Sequence, residues 1–150
     1  MSSELKQGRT FGFTMQDGRE FFEQLQEFCK ENNVKQAYIP IIQGGLSSAT
    51  ITKHVKDCKF GDAPQFMELK DVEVLTGSGT ITFDEESGKI SPHIHVSLAK
   101  MFQNQEGLGG CLKKGVVKYL IELLVIEIAS PKMKRISKPE INANVLSFEV

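Results

Sequence analysis

The stretch Val116-Val117-Lys118-Tyr119-Leu120-Ile121-Glu122-Leu123-Leu124-Val125-Ile126-Glu127-Ile128-Ala129 is the densest apolar run in the chain, and whether it is helix or strand decides the fold. Lys118 and Glu122 stand four apart, as neighbours on one helix face, and the length suits a helix. Against this, Val116, Val117, Ile121, Val125, Ile126 and Ile128 are β-branched; such side chains lose freedom in a helix and pack well on a pleated sheet. The run by itself leaves both readings open. Glu122 and Glu127 interrupt it, and no apolar segment reaches the roughly 18 residues that suggest a membrane span.

Working outward, Phe11, Phe13 and Met15 alternate over residues 9–15, the period of a strand with one buried face. Asp17 is the expected N-cap of an amphipathic helix. Phe21, Phe22, Leu25, Phe28 and Cys29 form its apolar face, Glu20, Glu23, Gln24, Glu27 and Lys30 its polar one, and Asn32-Asn33 its end. Extended stretches over 34–42 and 49–55 are separated by Gly44-Gly45, and 58–64 reads as loop. Residues 67–83 are β-prone, with Gly77-Ser78-Gly79 marking a bulge or a close backbone approach. A turn over 84–88 leads to an extended segment, 89–98, and a glycine-bearing loop then leads to Cys111 and the deciding run.

The 150 residues (16.7 kDa) carry 18 Lys+Arg against 19 Asp+Glu, so the net charge is -1. One domain with a substantial core is expected from that length and from a 40% hydrophobic content. Near-neutrality excludes a protein that grips a nucleic-acid backbone by bulk charge. The N-terminus has no apolar signal core, so a cytoplasmic location and no membrane partner are expected. Cys29, Cys58 and Cys111 are odd in number and scattered, which points to reduced thiols and not to a disulfide framework.

Chemistry concentrates in Pro92-His93-Ile94-His95-Val96. On a strand, positions i and i+2 share a face, so both imidazoles can reach one cation. Zinc takes four ligands, or three plus water, and Cys111 is the natural third candidate because Gly109 and Gly110 before it permit close backbone approach. Two histidines that happen to share the solvent face of a strand are the alternative. His54 reads as a surface histidine, Cys29 as core packing, Cys58 as a loop thiol without a partner, and Asp71 and Glu73 as acids on a solvated strand. Ser47, Ser78 and Ser97 stand in no nucleophile-elbow pattern, and Gly107-Leu108-Gly109-Gly110 lacks the spacing of a phosphate loop. Residues 131–150 have a modest basic excess, with Lys132, Lys134 and Arg135 read as a short solvated patch.

The order of these segments resembles the plants-and-prokaryotes-conserved (PPC) domain. The resemblance is carried by an Arg-bearing first strand, an Asp-capped helix, Gly44-Gly45-Leu46-Ser47-Ser48-Ala49-Thr50, the run from Val72 through Gly77-Ser78-Gly79 to Ile81, His93-Ile94-His95-Val96, and Gly109-Gly110-Cys111-Leu112. That domain occurs in plant AT-hook nuclear proteins and, standing alone, in bacteria and archaea. The resemblance covers about residues 8–129, so a domain over 8–130 and a C-terminal extension over 131–150 are expected.

It implies an α/β (α+β) fold, a largely antiparallel β-sheet flanked by helices, assembled as a homotrimer. On that ground residues 116–129 are read as a strand, with a bulge re-phasing Glu127. It further implies that His93 and His95 belong to a metal site, with Cys111 where prokaryotic members have a histidine; thiolate shifts preference toward softer ions. The plant interaction motif Gly-Arg-Phe-Glu-Ile-Leu aligns with residues 70–75, matching at Glu73 and Leu75, while Lys70 and Asp71 replace Gly and Arg. The chain contains no Arg-Gly-Arg hook, so DNA contact is expected to be weak or indirect.

The functional expectation is a trimeric, non-catalytic binding protein, DNA-associated or regulatory. Zinc or a similar divalent ion is expected at His93, His95 and Cys111, with room for a small-molecule or anionic ligand. One alternative is an enzyme that activates zinc-bound water, with Glu73 or Glu106 as proton shuttle. The other is an inert structural trimer.

Overall fold

The computed structural model describes residues 2–53, 59, 62–103 and 106–149; His54, Val55 and Cys58, and the expectations attached to them, lie outside the described residues. The elements run β1 (Lys6–Gln16), α1 (Phe21–Glu31), β2 (Ala37–Lys53), β3 (Gln65–Asp84), β4 (Lys89–Lys100), β5 (Gly107–Ser130), β6 (Lys132–Lys138), a short 3-10 turn (Pro139–Ile141) and β7 (Ala143–Glu149). Five strands form one antiparallel sheet in the order β1-β5-β2-β3-β4. The N-terminal end of β5 also pairs with β4, from His95 opposite Cys111 to Ala99 opposite Gly107, which closes β2 to β5 into a small barrel.

The deciding run therefore lies wholly in a strand. β5 is bonded to β2 from Leu112 to Glu127 and, on its other edge, to β1 from Leu120 to Ser130, so its β-branched side chains sit in a pleated ladder with a buried inner row: Val117, Ile121, Leu123 and Val125. The expected re-phasing at Glu127 is present in the burial, which passes from Val125 to Ile128. Opposite Glu127 itself the extra residue lies on β1, around Gly8 and Arg9; the extra residue on β5 is Ala129, between the Gln7–Ile128 and Lys6–Ser130 partners. Arg9 donates from Nε and Nη2 to the Glu127 carboxylate, both at 2.7 Å. These hydrogen bonds hold the carboxyl below its ordinary value. The pair therefore stabilises β1 against β5 above the normal carboxylate range, and its contribution is lost as pH falls through the lowered value.

Two expectations about punctuation are corrected. Gly44-Gly45 does not separate two strands but sits inside the continuous β2, because its role is close approach and not termination. A Cβ on Gly44 would lie 2.3 Å from the Leu120 carbonyl oxygen and one on Gly45 2.6 Å from that of Lys118, opposite a bulge where Tyr119 adopts φ 66°. Nor does Asp17 cap the helix. Its carboxylate accepts from the Tyr119 amide at that bulge (2.8 Å), and the cap is Glu20, whose carboxylate accepts from the amides of Glu23 (2.9 Å) and Gly115 (3.2 Å).

Only one α-helix is present among the described residues, so the sheet is not flanked by helices; the chain is mostly antiparallel β. Eleven residues are too few to hold a helix alone. α1 is held by its buried face, Phe21, Leu25, Phe28 and Cys29, with Phe28 stacked on Phe13 and edge-on to Phe11 of β1. Each of the large side chains contributes roughly 1.5–3 kcal/mol by burial. Asn33, at φ 51°, ends the helix as expected. Cys29 is core, 2% exposed, and burial pushes its thiol up to about 12. In a Cys58→Ser/Cys111→Ser background Cys29 is expected to resist a thiol reagent at pH 8 until denaturant is added; rapid labelling of the native protein would contradict this placement.

Candidate metal centre

The barrel closure assembles the site. In β4 His93 and His95 share a face, and His95 is paired directly across the ladder with Cys111 of β5. Gly79 makes the neighbouring β3–β4 contact possible: a Cβ there would stand 2.3 Å from the His93 carbonyl oxygen. Gly110 does the same on the other side, where a Cβ would meet the Thr52 carbonyl oxygen at 2.6 Å. Thr52 then fixes its neighbour, since its hydroxyl oxygen accepts from the Cys111 amide at 2.9 Å. Gly79 and Gly110 thus bring backbones together next to the candidate ligands.

His93 and His95 stack with ring centroids 4.9 Å apart and planes within 7°, and their Nε2 atoms approach to 2.9 Å. A ligand atom from each of His93, His95 and Cys111 lies within 4.8 Å of the others. A tetrahedral zinc ion needs nitrogen and sulfur ligands about 3.3–3.6 Å apart, so small side-chain adjustments suffice for this donor set to hold one. Burial, then the nearby charges of Arg135, His95 and Lys113, keep the half-buried His93 below the ordinary imidazole value. It is therefore neutral at pH 7, with a lone pair to offer. Cys111 is buried and free, its thiol directed at the Leu112 carbonyl oxygen at 3.9 Å.

Those three residues line one side of a cavity of about 650 Å³. The segment expected to be a C-terminal extension supplies Arg135 and residues 141–144 of the lining: β6 and β7 form a separate hairpin, tied back by Gln36, which donates to the Ile128 and Pro131 carbonyls and accepts from the Met133 amide. The basic patch expected over 132–135 is not one surface, because strand alternation splits it. Lys132 pairs with Glu85 at 2.6 Å and Lys134 with Glu149 at 2.5 Å, whereas Met133 is buried and Arg135 reaches inward to donate to the Thr80 hydroxyl. Arg135 was not visible as a site residue from charge clustering. The signal was its two-residue offset from the apolar Met133.

The nominal proton shuttles lie elsewhere. Glu73 lines a different surface depression, beside Gly45 and Ala99, and Glu106 faces Lys100 at 3.9 Å. Asp62 is the one carboxylate among the described residues that line the cavity, and it accepts from the Lys59 amide at 2.7 Å.

A family model described as the Plants and Prokaryotes Conserved (PCC) domain matches residues 2–129. Among solved structures, a plant- and prokaryote-conserved (PPC) protein from Pyrococcus horikoshii superposes with a TM-score of 0.81 at 22% identity, covering 100% of this chain and 99% of that one. A metal-containing protein from Archaeoglobus fulgidus gives 0.80 at 24% identity, with 97% and 98% covered. A protein from Ralstonia eutropha named "putative DNA-binding protein" gives 0.76 at 23%, with 92% and 90% covered. No curated protein matches.

Proposed function

The chain belongs to the Plants and Prokaryotes Conserved (PCC) domain family, and on that premise we propose that it is a homotrimeric, metal-dependent binding module whose ion is held by His93, His95 and Cys111. The observation that carries this reading is the convergence of two imidazole nitrogens and a thiol from paired strands in the lining of one cavity. Three protein ligands leave one position of a tetrahedral ion open to a small molecule. The metal-containing protein from Archaeoglobus fulgidus, which shares the fold, supports the metal; zinc is an ion that tetrahedral nitrogen and sulfur donors of this kind hold. Catalysis is the weaker reading because Asp62, the cavity's one described carboxylate, is already engaged with backbone.

Trimer formation is supported by the outer face of β2 and β5. Tyr38 is paired with Ile126 and Ile41 with Leu124, and with Leu120 they leave apolar side chains at the surface, of which Ile41 is 48% exposed. Symmetric association would bury that face. Native mass spectrometry of tag-free protein tests the proposal in one measurement. The expected species is three 16.7 kDa chains carrying one divalent ion each. A monomer would overturn the assembly, and a metal-free trimer the centre.

DNA association, suggested by the name of the Ralstonia eutropha protein, is proposed here only in weak form. Net charge is -1, and Lys132 and Lys134 are occupied by acids. With about four phosphate contacts at most, log K against log salt is expected to be no steeper than roughly -3.6. Submicromolar, sequence-selective binding in fluorescence anisotropy near physiological salt would contradict this.

A further inference from the structure

The surroundings of the candidate centre carry an electrostatic problem that the three ligands do not solve. The described lining of the cavity holds four basic side chains, Lys53, Lys59, Lys113 and Arg135, against a single acid, Asp62. Arg135 is the most constrained of these. It is half-buried on β6, bonded to the neutral Thr80 hydroxyl, and no carboxylate among the described residues forms an ion pair with it. Lys132 and Lys134, on the same strand, each have a carboxylate partner.

A divalent ion held by two neutral imidazoles and one thiolate keeps a net positive charge. Setting a guanidinium without a carboxylate partner among the described residues, and a lysine, beside such an ion is unfavourable, and a second cysteine or an acid at either position would have relieved it. An anion placed between metal and guanidinium removes the penalty, filling the open coordination position with one oxygen and meeting the planar fork of Arg135 with others. The cavity is of the size that small-molecule sites have, and its wall carries apolar surface from Pro64, Pro92 and Ile141 beside the charges.

We propose that the β6–β7 hairpin completes a binding site for a small organic oxyanion, a carboxylate or phosphate ester, which bridges the metal at His93, His95 and Cys111 to Arg135. This rests on the metal-centre reading and adds to it the class of ligand and the residue that selects it. Arg135 lies beyond the residues that the family model matches, so the selecting group comes from the hairpin and not from the matched domain.

The test is isothermal titration of zinc-loaded, tag-free protein with malonate, with inorganic phosphate, and with uncharged malonamide, the zinc content of every sample being measured alongside. Saturable binding of malonate or phosphate, with none of malonamide, is expected, and whichever anion binds more tightly identifies the source chemistry. Arg135→Ala should weaken that binding roughly 10- to 100-fold at unchanged zinc content. Arg135→Lys should restore part of it, and Lys134→Ala, which removes one charge from the other face of the same strand, should leave it unaltered. If zinc-loaded wild type binds neither anion, or Arg135→Ala binds as tightly as wild type, the oxyanion site is wrong while the metal centre stands. If wild type takes up no zinc, both fall.

Discussion

Replacing His93 and His95 together by alanine is expected to take tag-free protein from one zinc per chain to background, measured by elemental analysis after dialysis against trace zinc. The two nitrogens supply two of three protein ligands, and a lone thiolate does not retain the ion in a site of this kind. Each single substitution should also abolish stoichiometric binding, whereas Cys111→His should keep it, because imidazole replaces thiolate without changing the ligand count. Loss of the ion should appear in stability as well. At a free zinc concentration of about 100 Kd, binding contributes about 2.7 kcal/mol, or roughly 5–10 °C in Tm for a chain of this length. Full metal content in the double variant would return the pair to the role of surface histidines.

The second large effect concerns the backbone beneath the ligands. Gly79→Ala places a methyl group 2.3 Å from the His93 carbonyl oxygen and 2.5 Å from Ile94 Cδ1, so β3 and β4 must part where His93 is mounted. The expected cost is about 3 kcal/mol or more, with a fall in Tm of roughly 6–12 °C and weakened zinc retention. Gly12→Ala, where a Cβ meets nothing within 4 Å, is the matched control and should change Tm by little. Equal behaviour of the two variants in a thermal melt would show that the close β3–β4 approach is not required.

How much of this was legible in the residues depended on whether the signal was local. The aromatic stripe of α1 and the alternation of Phe11, Phe13 and Met15 were readable because each element's own period reports which face is buried. The deciding run, 116–129, was not decided by its own period. Its β-branched content and its length pointed in opposite directions, and the order of distant segments settled it. What makes it a strand is that β1 and β2 flank it with matching ladders, which is tertiary information.

The glycines teach a related lesson. Gly44-Gly45 has the sequence form of a break, yet the residues allow β5 to come within contact of β2, and nothing within five residues of them carries that fact. Asp17 and Glu20 were exchanged as caps for a similar reason. Asp17 is engaged by a bulge about a hundred residues away, leaving the capping role to the next carboxylate along the chain.

At the site, the same-face rule for His93 and His95 was sufficient to pair them, and Gly109-Gly110 pointed to Cys111. Arg135 stayed hidden because a cluster of three basic residues suggests a surface. Only the hairpin's strand alternation turns two of them outward to acids and the third to the cavity.

Cobalt substitution tests the central claim, that two imidazoles and the Cys111 thiolate hold one ion, most directly. Tag-free protein under reducing conditions, titrated with cobalt(II), should develop the intense visible absorption of a four-coordinate site together with a near-ultraviolet thiolate-to-cobalt charge-transfer band, both saturating at one equivalent per chain. Cys111→Ser should lose the charge-transfer band. A wild-type spectrum without that band, or its persistence in Cys111→Ser, would contradict the account.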